Sequence, residues 1–283
     1  MRLLVTGGCG FIGSNFIRHI LQKYENYKIT NLDALTYAGN SDNLKDIEKN
    51  PNYNFVKDDI TNYDILHDLI KDTDIILNFA AESHVDRSIS NADPFLKTNI
   101  MGTHTLLKLA LKFNKKLVHI STDEVYGSIE HGSFTEDSNL KPNSPYSASK
   151  ASGDLLCRAY HETHGTDITI IRSTNNFGPF QYPEKIMPLF ITNLLENKKV
   201  PIYGNGKNVR DWLYVLDNCE AIDLVVHKGK KGEIYNVSSN NELSNIELTK
   251  NLIKILGKEE SFIEYVEDRK GHDKRFSTGS ERT

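Results

Sequence analysis

Through the first two-thirds of the chain, short apolar runs alternate with longer segments whose apolar residues recur at helical spacing. The runs predict strands over 2–6, 28–33, 54–57, 74–79, 116–121 and 167–172, and the longer segments predict helices over 11–23, 93–114 and 145–164. The last helix has sequence signals at both ends. Ser144 can cap it, Pro145 fits the first turn, and Gly165 suits the residue after the last turn.

Strands that are nearly continuously apolar, alternating with helices, predict a parallel sheet covered on both faces. The expected fold is therefore α/β, a Rossmann-type doubly wound parallel sheet, with any ligand along the carboxyl ends of its strands. After Ser173 the alternation weakens, because Pro179, Pro183, Pro188 and Pro201, with Gly178, Gly204 and Gly206, break the chain into short pieces. Segments 214–227, 233–237, 244–256 and 262–266 read as a smaller mixed C-terminal lobe. We expect a dinucleotide-binding region over 1–175, completed by segments returning from later in the chain, and a substrate lobe over 176–276. The polar stretch 277–283 has no apolar periodicity and is expected to be a disordered tail.

Composition narrows the function classes. The 283 residues carry a formal net charge of −4, which offers no electrostatic reason to expect nucleic-acid binding. No apolar run approaches the ~20 residues of a membrane span, and residues 2–6 lead straight into a glycine loop with no signal-peptide pattern. Cys9, Cys157 and Cys219 are too scattered for a disulfide framework, and the histidines show no ligand spacing. A cytoplasmic enzyme without a metal is the expectation.

The first strand runs into Thr6-Gly7-Gly8-Cys9-Gly10-Phe11-Ile12-Gly13. Gly7 and Gly10 allow a tight turn and close approach of a pyrophosphate, Gly13 lets the helix lie near the strand, and the helix N-terminus favours the anion. Asp33 ends the second strand twenty residues after Gly13, where a carboxylate accepts from a ribose 2′-hydroxyl and repels a 2′-phosphate. NAD is the expected cofactor. Asp58-Asp59-Ile60 is a candidate adenine-side contact, with a helix cap as its rival, and Ala80-Ala81 supplies small residues against a cofactor.

Two further stretches carry chemistry. Tyr146 and Lys150 lie one turn apart on the third helix, so phenol and ammonium share a face, and near a nicotinamide the lysine and the cofactor's positive ring are expected to lower the phenol pKa. Ser121-Thr122-Asp123-Glu124 adds a hydroxyl and two adjacent carboxylates, which hydride transfer alone does not need. Oxidation, elimination and reduction in one site would use them all.

With these motifs in place, the sequence resembles the extended short-chain dehydrogenase/reductase family of nucleotide-sugar enzymes over residues 1 to about 276. Narrower runs, Leu35-Thr36-Tyr37-Ala38-Gly39-Asn40, 80–89, Thr122-Asp123-Glu124, Asn175-Asn176-Phe177-Gly178-Pro179 and Arg210-Asp211-Trp212, are similar to the 4,6-dehydratases within it. The resemblance implies that Tyr146, with Thr122 and Lys150, takes a proton from the sugar 4-hydroxyl as carbon 4 is oxidised. Glu124 then removes the carbon 5 proton, Asp123 protonates the departing 6-hydroxyl, and carbon 6 is reduced. It also implies cofactor contacts at Thr36, Thr98 and Asn176, beside those already named. Substrate contacts are implied at Ser83, Asn175, Lys185, Pro201, Arg210, Asn241, Arg269 and His272, together with Thr122, Asp123 and Glu124, and the two arginines suit phosphate oxygens. His84 is read as a capping or packing residue.

The same resemblance implies a homodimer through a four-helix contact of segments 93–114 and 145–164, with Ile100, Leu107 and Leu111 compatible with it. Lys270 stands where the family usually has proline, and further helices are usual after the Asp268–Asp273 motif. Their lack is expected to loosen Arg269 and His272 and to weaken substrate binding more than cofactor binding. A uridine rather than thymidine nucleotide sugar, a 4-epimerase, and an NAD-binding relative without turnover are the competing readings.

Overall fold

A computed structural model describes residues 1–279 of the chain. The first part runs β1 (Arg2–Thr6), α1 (Phe11–Lys23), β2 (Lys28–Asp33), β3 (Tyr53–Lys57), α2 (Tyr63–Lys71), β4 (Ile75–Asn78), α3 (Val85–Ser90), α4 (Asp93–Phe95), α5 (Thr103–Phe113), β5 (Lys116–Thr122), α6 (Pro145–His164) and β6 (Ile168–Ser173). The remainder is β7 (Asn175–Phe177), α7 (Ile186–Leu195), β8 (Val200–Tyr203), β9 (Val209–Tyr214), α8 (Val215–Lys228), β10 (Ile234–Val237), β11 (Glu242–Ser244), α9 (Asn245–Ile255) and β12 (Ile263–Val266).

Seven strands form one parallel sheet in the order β10-β6-β5-β4-β1-β2-β3. Its period-2 side chains divide between two cores. Leu3 and Val5 point to the face packed by Phe16, Ile17 and Ile20 of α1 and Ile222 and Val225 of α8. Leu4 points to the other face, against Leu66 and Ile70 of α2 and Leu106, Leu107 and Ala110 of α5. The strand order reverses between β1 and β4, so the crevice at their carboxyl ends is the natural ligand site.

The predicted caps of α6 are present: Ser144 Oγ accepts from Ser147 N at 3.1 Å, and Gly165 is left-handed at φ 62°. The predicted helix over 93–114 is interrupted. Between α4 and α5, Leu96–Gly102 is a π-helical stretch. The cause is Asn99, which turns inward, accepting from Glu82 N at 3.0 Å and donating to Glu82 O at 3.0 Å and Ser149 Oγ at 2.8 Å. Gly102 seals the bend, since a Cβ there would lie 2.2 Å from Ile60 Cδ1.

The segments that return to the large sheet are ones whose sequence pattern groups them with the small lobe. Helix α8 packs on α1, and β10 pairs in parallel with β6. The small lobe keeps β7-β9-β11 and β8-β12, packed with α7 and α9 around Phe190, Leu194, Ile202, Trp212 and Leu252. The expectation of a disordered tail is corrected at its start. Ser277 and Thr278 are buried, and Phe134 pairs with this stretch through its N–H to Ser277 O and its carbonyl from Gly279 N. Unmet backbone groups along Phe134 give these polar residues a ladder to complete. Residues 280–283 of the expected tail lie outside the described residues.

A buried ion pair ties the site's helix to the sheet. Asp154 of α6 accepts from Arg172 Nε of β6 at 2.8 Å, with both side chains almost wholly buried, and Arg172 also donates to Tyr126 at 2.7 Å. Removing one partner leaves the other charged in a dry interior. Asp154→Ala is expected to cost about 3–5 kcal/mol in urea unfolding; a loss below ~1 kcal/mol would show that Arg172 has another adequate partner.

Candidate active site

The carboxyl ends of β1, β2, β4, β5 and β6 open into one cleft, and the lobe closes its far side. At its floor Gly7 is left-handed at φ 71°, and a Cβ there would sit 2.6 Å from Ala80 Cα. A Cβ at Gly13 would meet Gly7 O at 2.5 Å, so α1 lies hard against the turn. Gly10, the residue before α1, has no capping side chain, and the first turn carries no acid. Its free N–H groups and dipole suit a pyrophosphate.

Asp33 is buried at the end of β2, its oxygens accepting from Cys9 N and Leu35 N at 2.8 Å each. Burial pushes its carboxyl up, while the two N–H donors favour the anion. Gly7, Gly10, Phe11, Ile12, Gly13, Asp33, Thr36, Asp58, Asp59, Ile60, Ala80, Ala81, Thr98 and Asn176 all line the cleft. The helix-cap alternative for Asp58-Asp59 does not hold, because Asn62 caps α2; Asp59 instead accepts from Thr61 N and pairs with Lys97 at 2.8 Å. Buried Ser121 Oγ, Thr174 Oγ1 and Asn176 Oδ1 lack partners among the described residues. A glycine cradle, an anion-ready helix end, a ribose-height carboxylate and spare polar atoms fit a dinucleotide.

Thr122, Asp123, Glu124, Tyr146 and Lys150 meet in the middle of this cleft. A 3-10 turn over Asp123–Tyr126 follows β5, with Thr122 Oγ1 accepting from Glu124 N at 3.3 Å and touching Asp123 Oδ1 at 3.2 Å. Asp123 is 2 % exposed, and its Oδ2 has no hydrogen-bond partner among the described residues. Burial, then the charge of Glu124, pushes the Asp123 carboxyl up to about 8. Glu124, half-buried, is also raised by burial, but Arg210, Arg269 and Lys185 oppose the shift. Two adjacent carboxyls are thus driven apart in acidity.

The Tyr146 phenol contacts Thr122 and is pushed well above its usual range by burial and then by Glu124. The expected lowering draws on the positive nicotinamide ring as well as on Lys150, and the protein's own groups push the other way. Lys150 Nζ donates to Ile120 O at 2.7 Å. Burial lowers the Lys150 ammonium itself to about 8.

Of the expected substrate residues, Ser83, Asn175 and Lys185 line the cleft, with Lys185 Nζ donating to Ser83 O at 2.9 Å. Arg210 is buried, donating to Asp273 O at 3.0 Å and stacked on Phe276, and Arg269 pairs with Asp86 at 3.5 Å. Both arginines act on Glu124 from the lobe side. His272 Nδ1 lies 2.6 Å from Asp268. Pro201, in β8, and exposed Asn241 belong to the lobe but do not line the cleft. His84 caps α3, its Nδ1 accepting from Arg87 N at 3.4 Å. Sequence reasoning missed Tyr37, Glu82, Tyr182 and Glu184, which also line the cleft. Tyr37 and Glu82 lie inside motifs quoted above. Among the described residues no group of three His, Cys, Asp or Glu side chains is arranged to hold a metal, and no helix is long and apolar enough to cross a membrane.

A doubly wound parallel sheet with this glycine turn, and a Thr, Tyr and Lys beside it, defines a dinucleotide-binding enzyme of the extended short-chain dehydrogenase/reductase class. The family model described as GDP-mannose 4,6 dehydratase matches residues 4–281, and the chain belongs to that family. The low-salt glycan biosynthesis protein Agl12 of Haloferax volcanii is 52 % identical, covering 100 % of this chain and 91 % of its own length. The crystal structure of the dTDP-glucose 4,6-dehydratase of Bacillus anthracis in complex with NAD superposes with a TM-score of 0.94 at 53 % identity, over 100 % of this chain and 88 % of that one. DesIV, the dTDP-glucose 4,6-dehydratase of Streptomyces venezuelae, solved with NAD bound, gives 0.97 at 51 % identity over 99 % and 88 %.

Asp123 keeps its proton in the folded protein up to about pH 8. In the unfolded chain it ionises above about pH 3.9. Its contribution is therefore full below the unfolded value and is lost as pH rises through the folded one. Wild type is expected to lose stability relative to Asp123→Asn as pH is raised from about 5 to about 8, read by denaturant unfolding. Parallel curves would contradict the shift.

Proposed function

We propose that this chain is a dTDP-glucose 4,6-dehydratase, converting dTDP-glucose to dTDP-4-keto-6-deoxyglucose and water in deoxysugar biosynthesis. The observation that carries the reading is the Asp123–Glu124 pair beside Tyr146, with one carboxyl held protonated and its neighbour flanked by cations. Bound NAD would supply the hydride acceptor for carbon 4 and the hydride source for carbon 6, with a positive ring charge beside Tyr146. The glycine turn, Asp33 and Thr36, Asp58 to Ile60, Ala80, Ala81, Thr98 and Asn176 would hold it.

Tyr146, hydrogen-bonded to Thr122, would accept the 4-hydroxyl proton as phenolate, a form that the positive ring of bound NAD and the Lys150 ammonium favour against burial. Lys150, fixed on Ile120 O, supplies positive charge near the resulting alkoxide. Oxidation at carbon 4 acidifies the carbon 5 proton, and Glu124 removes it. Asp123, neutral below about pH 8, gives its proton to the departing 6-hydroxyl. Elimination leaves a proton on Glu124 and a charge on Asp123. As carbon 6 is reduced Glu124 returns a proton to carbon 5, and the proton held by Tyr146 offsets the charge on Asp123, so the net change is loss of one water. Lys185, Arg210 and Arg269 supply cations for the diphosphate, with Ser83, Asn175, Pro201, Asn241 and His272 around the rest of the nucleotide sugar.

A cytoplasmic enzyme is in keeping with three buried, unpaired cysteines. We also propose a homodimer through the 93–113 segment and α6. Leu96, Met101, Leu111 and Leu155 stand exposed on these helices, whereas Leu107 is consumed by the core under the sheet. Leu155 is 55 % exposed, so Leu155→Lys is expected to leave the fold intact and shift the sedimentation profile from dimer to monomer. An unchanged dimer would move the interface elsewhere.

Incubation with dTDP-glucose and UDP-glucose side by side tests the substrate, and heavy water should place deuterium at carbon 5 of the product. Glu124→Gln is expected to lower product formation by roughly 10²–10⁴. Sugar turnover that survives this substitution would point to 4-epimerisation, which needs no base at carbon 5.

A further inference from the structure

Helix α3 touches both halves of the molecule with consecutive side chains. Ser88 Oγ accepts the backbone N–H of Tyr146 at 3.2 Å while donating to Val85 O at 2.6 Å. Arg87 donates to Glu184 at 3.1 and 3.3 Å and stacks over the Tyr37 ring at 4.2 Å. Asp86 points to the lobe: Oδ2 accepts from Tyr203 OH of β8 at 3.4 Å, and Oδ1 lies 3.5 Å from Arg269 Nη1. Among the described residues neither the buried Oδ1 nor the buried Arg269 Nε has a hydrogen-bond partner, so Oδ1 faces the guanidinium as an ion pair and Nε is unused.

We propose that Asp86 is a positioning residue for Arg269, tethering Nη1 so that the Nε–Nη2 edge is presented to a substrate phosphate. The inference rests on the nucleotide-diphosphate-sugar reading above. A guanidinium offers five donors in a rigid fork, and its side edge takes two phosphate oxygens only when the group is held from elsewhere. Asp86 holds it by one nitrogen and spares the edge. Because α3 also carries the Ser88 contact to Tyr146, the separation between phosphate anchor and reacting phenol is set by one short helix. A bound diphosphate would then bring sugar carbon 4 to Tyr146 in a fixed register. The attraction itself adds little to stability, since both groups are partly solvated at 37 % and 22 % side-chain exposure. Loss of Asp86 should therefore be read in binding rather than in unfolding.

The test is a double-mutant cycle in the NAD-loaded enzyme, with dTDP as the titrated ligand in calorimetry. Asp86→Asn is expected to weaken dTDP binding about tenfold, Arg269→Gln by at least as much, and the double variant no more than about threefold beyond Arg269→Gln. With dTDP-glucose, Asp86→Asn should raise KM while kcat stays within about twofold. Additive losses, unchanged or tighter binding in Asp86→Asn, or a fall in kcat at constant KM would each overturn the tether. Wild-type enzyme that fails to bind dTDP would instead strike the functional reading on which it rests.

Discussion

The backbone of Gly7, at the end of β1, lies so close to that of Ala80, just beyond β4, that a Cβ at Gly7 would sit 2.6 Å from Ala80 Cα. No side chain fits there, and φ 71° is a conformation that only glycine adopts freely. This contact brings the two strands at the reversal of the sheet order into register and sets the floor of the cleft. Helix α1 is pressed onto the same turn through Gly13, which aims its unpaired N–H groups across the crevice. The loops after β5 and β6 then fall at fixed distances from that floor, carrying Thr122 to Glu124 on one and Thr174 to Asn176 on the other.

Above the floor, chemistry is divided by solvation. Asp123 and Glu124 are adjacent in sequence, yet one is sealed beneath the turn and the other opens toward three cations. Burial raises both and the charge of Glu124 raises Asp123 further, while Arg210 opposes both shifts and Arg269 and Lys185 oppose that of Glu124. Arg210 and Arg269, proposed above as diphosphate contacts, also bias Glu124 toward its ionised form. Charges of the lobe thus set the acidity of a group on the sheet side of the cleft.

Much of this was legible in the chain before its structure. The strands of the sheet, the caps of α6, the glycine turn and Asp33 follow from local rules: period, capping chemistry and the steric needs of a turn. What escaped depends on residues far apart in sequence. The helix over 93–114 was interrupted by Asn99, whose partners Glu82 and Ser149 lie 17 residues before and 50 after it. Ser277 and Thr278 look like a tail because their pairing partner, Phe134, is 144 residues upstream of Thr278. Lys150 was legible as a neighbour of Tyr146, but not as a donor to Ile120 O.

The sequence by itself determined which groups this protein could use: a glycine turn, a ribose-height carboxylate, a phenol with its lysine, and an adjacent acid pair, together with the elements that carry them. Those are consequences of residue type and short-range spacing. Only the tertiary structure decided their protonation, because acidity depends on burial and on charges brought in from the lobe. It also decided that α8 and β10 complete the large sheet, and that Asp86 meets Arg269, a pairing of residues 183 positions apart by subtraction. Such contacts arise from packing of the whole chain, and no local pattern encodes them.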